Sequence, residues 1–181
     1  MALENAAELA GVLRRSDLLG KVFARHAYGM RAWVDLFSAR VAAIPDPATK
    51  ALVATLVADN ARHMLLFRAH AAAHGVDADA YVCPPEGAAI YTRIEELDAP
   101  EELLGYALGS LDHFDQLLAV YRGAADGDDV RVIDRVRADV ARMRMRLRPL
   151  VGAAGQRYAD EAQERYRRRE LIETPRYAHV S

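Results

Sequence analysis

Apolar side chains recur at three- and four-residue intervals along most of this chain, and no segment alternates polar and apolar residues over the length of a strand. The first kind of spacing buries one stripe of a helix, whereas a half-buried strand would need the second, so the chain reads as all-α. Residues 19 to 41 align Val22, Phe23, His26, Met30, Trp33 and Phe37, with Lys21, Arg25, Arg31 and Asp35 elsewhere on the wheel. Ile44-Pro-Asp-Pro breaks this helix. Asp46 is placed to cap the next one, and Pro47 falls at a first-turn position where its missing N–H costs nothing. The second long helix runs to about His74 on the stripe Val53, Leu56, Val57, Asn60, His63, Met64 and Phe67, with Asp59 and Arg62 on its outer side and Gly75 as its stop.

Pro84, Pro85 and Pro100 make residues 75 to 100 a crossover with a short helix near 87 to 96, too long for a tight hairpin. Ala99-Pro-Glu-Glu starts a third long helix, its acids in the first turn where the helix dipole favours them, and this helix ends near Arg122. Gly105 and Gly109 on it allow a close helix approach. A fourth helix carries Ile133, Val136, Val140, Met143 and Leu147 on one face, and arginine and aspartate on the other. After Gly155 the sequence turns polar, with Tyr158, Ala162, Tyr166 and Leu171 to bury, so this last helix is expected to dock weakly or on a partner. The expected architecture is an antiparallel four-helix bundle over residues 1–155 with a longer crossover between its second and third helices and peripheral short helices. A polar C-terminal helix and tail follow over 156–181.

Composition narrows the setting. With 52% hydrophobic and 28% charged residues and a net charge of −2, the 181-residue chain reads as one soluble domain able to bury a core without staples. The single cysteine, Cys83, rules out an intramolecular disulfide and a Cys-based zinc site and fits a reducing compartment, so the cytoplasm is the expected location. The opening residues are not expected to act as a signal peptide, and no apolar run approaches the ~18 residues of a membrane span. Arginines cluster at Arg142, Arg144, Arg146 and Arg148 and again at Arg165, Arg167, Arg168 and Arg169, but neighbouring acids balance them, and no nucleic-acid partner is expected.

Ala58-Asp-Asn-Ala-Arg recurs as Ala138-Asp-Val-Ala-Arg, 80 residues later. His26 followed by Trp33 has a counterpart in His113 followed by Tyr121, so two helical hairpins look like copies of one unit. Two hairpins joined by a crossover, with Asp59-Asn-Ala-Arg-His on the second helix, resemble the ferritin-like (rubrerythrin-like) superfamily over residues 16 to 150. That superfamily holds two metals between a Glu on each of its first and third helices and a Glu-x-x-His on each of its second and fourth. Carried onto this chain, the first-helix Glu falls on His26 and the second-helix pair on Asn60 and His63. The third-helix Glu falls on His113, or on Asp112 or Asp115 with a phase slip, and the fourth-helix pair on Val140 and Met143.

The carboxylates of a di-iron centre are thus missing, and the resemblance implies at most one ion. His26, His63 and His113, with Asp115 as a carboxylate, would hold Fe, Cu or Zn, and Asn60 would hydrogen-bond a ligand or substrate. The implied function is an enzyme, a metal-dependent oxidoreductase if the ion is Fe or Cu, acting on a small organic substrate with His63, Asn60 and His113 as catalytic groups. The alternative is a metal-free, non-catalytic bundle that binds a ligand or another protein. A homodimer through the amphipathic last helix is also expected. An inward Asp115 would want a cation or an arginine partner. His70 and His74, near a helix C-terminus, are expected to serve the dipole and solvent, and Tyr28, Tyr81, Tyr91 and Tyr106 are candidates to line a pocket.

Overall fold

The computed structural model describes residues 3–15 and 18–177, all-helical with no strand among them. Residues 178–181 of the expected tail, and Met1 and Ala2 of the N-terminal stretch, lie outside the described residues. The helices are α1 (Ala6–Arg15), α2 (Leu19–Val41), α3 (Pro47–Ala73), α4 (Pro85–Glu95), α5 (Pro100–Arg122), α6 (Gly127–Leu147) and α7 (Ala153–Tyr177). Their ends follow from local chemistry. Asp46 accepts the Thr49 N–H at 2.7 Å to open α3. Beyond α3 the chain turns at Gly75, whose φ of +73° is in the left-handed region that only glycine adopts freely. Glu102 reaches back to the N–H groups of Asp98 and Ala99, at 3.3 Å each, to start α5.

Antiparallel hairpins pair α2 with α3 and α5 with α6. Contacts between the hairpins fix their directions. His63 meets Asp139 while His70 meets Asp129, so α3 and α6 run antiparallel. His26 lies against Phe114 and Tyr121 of α5. The interior is filled by Phe23, Phe37, Leu56, Phe67, Leu108, Leu118, Ile133 and Val136, each at most 2% exposed. None of the helices is long and apolar enough to cross a membrane among the described residues.

The last helix departs from expectation. Rather than docking weakly, α7 runs parallel to α5 in close contact, because Gly105 faces the backbone of Gly155 and Gly109 that of Ala159. A Cβ at either glycine would collide with the facing carbonyl, so the small-residue pair read from the sequence is what lets these two backbones approach. On its other side α7 reaches α2, where the Trp33 indole N–H donates to the Tyr166 hydroxyl at 2.9 Å. The face expected to meet a partner is therefore covered by the chain's own helices. Burial of Arg169, Glu170, Glu173 and Thr174 shows that this face is charged as well as apolar. Helix α1 covers α5 and α7 through Leu9 and Leu13.

Candidate functional site

Two interior cavities hold the residues singled out from the sequence. The smaller, about 20 Å³, lies among α2, α3, α5 and α6 and is lined by Asn60, His63, Val140 and Met143, the four positions onto which the helix pairs of the resemblance fall. Met30, Leu56, Leu111 and Phe114 make the rest of its wall largely apolar. His63 Nε2 lies 3.0 Å from Asp139 Oδ2, and Asp139 is in turn held by Arg142. Burial lowers the His63 pKa, and Asp139 only partly offsets that effect. The repeated motif is visible here as two matching ion pairs, Asp59 with Arg62 and Asp139 with Arg142, and both aspartates line this cavity. Asp59, read as outward, is 8% exposed.

The larger cavity, about 60 Å³, lies between α2, α5 and α7, with Asn60 of α3 and Tyr91 of α4 completing it. One wall is apolar, made by Met30, Trp33, Leu111, Phe114 and Leu117. The other is a buried network that begins at Arg25. This residue, read as lying off the apolar stripe, is 1% exposed and among the most deeply buried side chains. Its Nη2 donates to the Tyr121 hydroxyl and to Glu170 Oε2, both at 2.8 Å, and lies 3.2 Å from His26 Nε2. Arg169, read as one of an arginine cluster balanced by neighbouring acids, is buried as well. It donates to Glu173 at 2.8 Å and to the hydroxyls of Tyr91 and Tyr81, both at 3.2 Å. Burial alone would lower the Arg25 pKa, but Glu170, Tyr121 and Glu173 outweigh it and keep the guanidinium charged.

His26 and His113 both line this larger cavity, and His63 does not. Desolvation, followed by the nearby charges of Arg25 and Arg169, holds His26 well below the ordinary imidazole range. The same causes, with Arg167, push His113 down to about 4. Both rings are neutral at neutral pH. The His113 ring stacks on Tyr166 at a centroid distance of 5.9 Å.

These positions do not make the expected metal centre. Among the described residues, no three His, Cys, Asp or Glu side chains form a group able to hold a metal ion. His63 faces Asp139 in one cavity, while His26 and His113 face the other. Asp115 lines neither; it meets Arg137 at 3.0 Å and Arg144 at 2.7 Å on the α5–α6 flank, and Asp112 joins Arg144 and Arg148 there. His26 Nε2 is already engaged, 3.2 Å from the buried Arg25 guanidinium and 3.0 Å from the Tyr121 hydroxyl, and a second cation beside that guanidinium would be repelled. The donor set does not fit Fe, Cu or Zn. His70 and His74, expected to face solvent, instead share Asp129, each at 2.6 Å.

Comparison with protein-family models, with curated proteins and with solved structures finds no match. Sequence reasoning missed Arg25, Arg169, Glu170 and Glu173. One signal was present: Tyr158, Ala162, Tyr166, Arg169, Glu173 and Tyr177 continue one stripe of α7 at helical spacing. The tyrosines on either side of Arg169 and Glu173 place that pair on the buried stripe, whereas the i,i+4 charge spacing alone also fits an exposed helix face.

Proposed function

We propose that this chain is a small-molecule-binding helical bundle that works without a metal centre, its ligand seated between α2, α5 and α7. The observation that carries the reading is the cavity in which an apolar wall faces a preformed Arg25–Glu170–Tyr121 network and two neutral imidazoles. Pockets that bind small molecules combine these two features, an apolar lining that provides affinity and a few fixed polar groups that orient the guest. At roughly one water per 10–15 Å³ of such space, the cavity admits about four to six small non-hydrogen atoms.

The bundle is further proposed to be a divergent ferritin-like one. The reading is supported by the two hairpins, by the antiparallel α3 and α6, and by the shared wall that Asn60, His63, Val140 and Met143 form at its centre. On this reading the ancestral centre has been filled with apolar side chains, and the polar chemistry has moved to the seam where α7 joins.

The test is a titration of the full chain with 2-pentanone, 2-pentanol, butyrate and n-pentane, followed by amide resonances. Saturable shifts centred on Gly29, Ser110 and Tyr166 with at least one probe, lost in Ser110→Leu, are the expected result. No saturable binding by any of the four overturns the reading.

A second reading is an enzyme that works by proton transfer, favoured by the placement of the His26 and His113 imidazoles together on the cavity wall. It is tested by hydrogen–deuterium exchange at the carbons flanking the carbonyl of 2-pentanone. Acceleration over buffer that disappears in His113→Phe supports it, and an unchanged rate removes it.

A further inference from the structure

Among the described residues, three buried side-chain polar atoms lack a hydrogen-bond partner, and two of them belong to residues lining the larger cavity: Arg25 Nη1 and His113 Nε2. Native interiors nearly always satisfy such atoms with protein, water or ligand, so two of them on residues that line the same cavity call for an explanation. Arg25 directs Nη2 at Tyr121, Glu170 and His26, while Glu173 Oε2 stays 3.7 Å from Nη1. His113 stacks, offset and tilted by 29°, against Tyr166.

Charge decides what kind of head group fits. Arg25 and Arg169 are matched by Glu170 and Glu173, so the buried wall is balanced as it stands. An added anion would find no uncompensated cation and would be opposed by both glutamates. An ammonium would face two guanidinium groups. Only a neutral head remains. Because a guanidinium nitrogen can only donate, that head must accept a hydrogen bond.

Building on the reading of this cavity as a ligand site, we infer that it takes a small neutral oxygen compound, a short-chain ketone or alcohol. Its oxygen accepts from Arg25 Nη1 and pairs with His113 Nε2, and its alkyl part lies against Trp33 and Phe114. The volume of about 60 Å³ sets the short chain. A ketone requires the tautomer with hydrogen on Nε2, and an alcohol serves either tautomer.

The experiment compares the four probes in the full chain at neutral pH, reading affinity from amide shifts and head-group contact from the side-chain nitrogens of Arg25 and His113. The ketone or the alcohol is expected to bind roughly three- to tenfold tighter than n-pentane, the worth of one net hydrogen bond, and tighter than butyrate. Both side-chain nitrogens are expected to shift. In His113→Phe, which keeps a ring against Tyr166, the preference over n-pentane shrinks. Tightest binding by butyrate overturns the inference, as does equal binding of n-pentane and the oxygen compounds. Binding that leaves both nitrogens unmoved also overturns it and assigns the orphan atoms to water. Each of these three outcomes leaves the cavity reading standing, whereas failure of all four probes to bind removes both.

Discussion

The two cavities share Met30, Asn60, Leu111 and Phe114 as a common wall, yet they are built on opposite principles. The central one, where the resemblance led metal to be expected, is closed down by methionine, leucine, valine and phenylalanine around Asp59, Asn60 and the His63–Asp139 pair. The lateral one is three times larger by volume and is bordered by Arg25, Arg169 and Glu170, all held in buried ion pairs. The difference shows how one bundle can hold two interior spaces of unlike chemistry side by side. Here the space contracts around apolar side chains, and a fifth long helix brings charges to a new seam.

The strongest way to break this comparison is to remove Arg25. Arg25→Met leaves Glu170 hydrogen-bonded only to hydroxyls and leaves an uncompensated charge in the interior, which costs about 3–5 kcal/mol. Chemical denaturation measures this loss directly. The double variant Arg25→Met/Glu170→Leu is expected to recover much of it, since replacing both members of a buried pair with apolar groups is often near neutral. A loss under about 1 kcal/mol in the single variant would mean that the network is not structurally committed.

Legibility in the sequence divides along the same line. The α2, α3 and α5 boundaries follow from residues that act locally: Asp46 and Pro47, Gly75, Pro100 and Glu102. The close approach at Gly105 and Gly109 was equally plain, because small residues one turn apart have few other uses. The burial of Arg25 was not legible, since its partner Glu170 lies 145 positions away and nothing near Arg25 signals it. On the α2 wheel alone a charged residue beside an apolar stripe belongs outside. His63 failed for a related reason: its phase on α3 was right, but its partner, 76 residues on, was read only as one half of a repeat. On α5, helical phase left Asp112, His113 and Asp115 open, and the arginines of α6 settle it by drawing both aspartates outward. Helix α1 offers only Leu9 and Leu13 as buried leucines, too short a stripe to register.

Acid separates the two cavities as well. His113 titrates near 4 in the folded chain, against about 6.5 unfolded, because burial and then Arg25 disfavour its charged form. Between these values the unfolded state binds a proton that the folded state refuses. Stability is therefore lost as pH falls from about 6.5 towards 4, by roughly 3 kcal/mol if His113 acts alone. His26, shifted in the same direction by the same neighbours, steepens the fall. His113→Phe is expected to flatten the slope of unfolding free energy against pH across that window. An unchanged slope would detach His113 from the arginine network.

The smallest expected effect is the most discriminating. If the central cavity is a filled remnant, His63→Leu should cost no more than about 1 kcal/mol. It removes one net hydrogen bond and adds an apolar side chain beside Leu56, Val140 and Met143, while Asp139 keeps Arg142. Asp139→Ala should cost more, about 1–3 kcal/mol, because it strands a His63 that is only 4% exposed. The order of these two variants carries the argument. A working centre built on His63 would make its removal the more damaging change and would disturb binding of 2-pentanone next door. A remnant tolerates loss of the histidine better than loss of the group that satisfies it, and leaves binding in the lateral cavity unchanged.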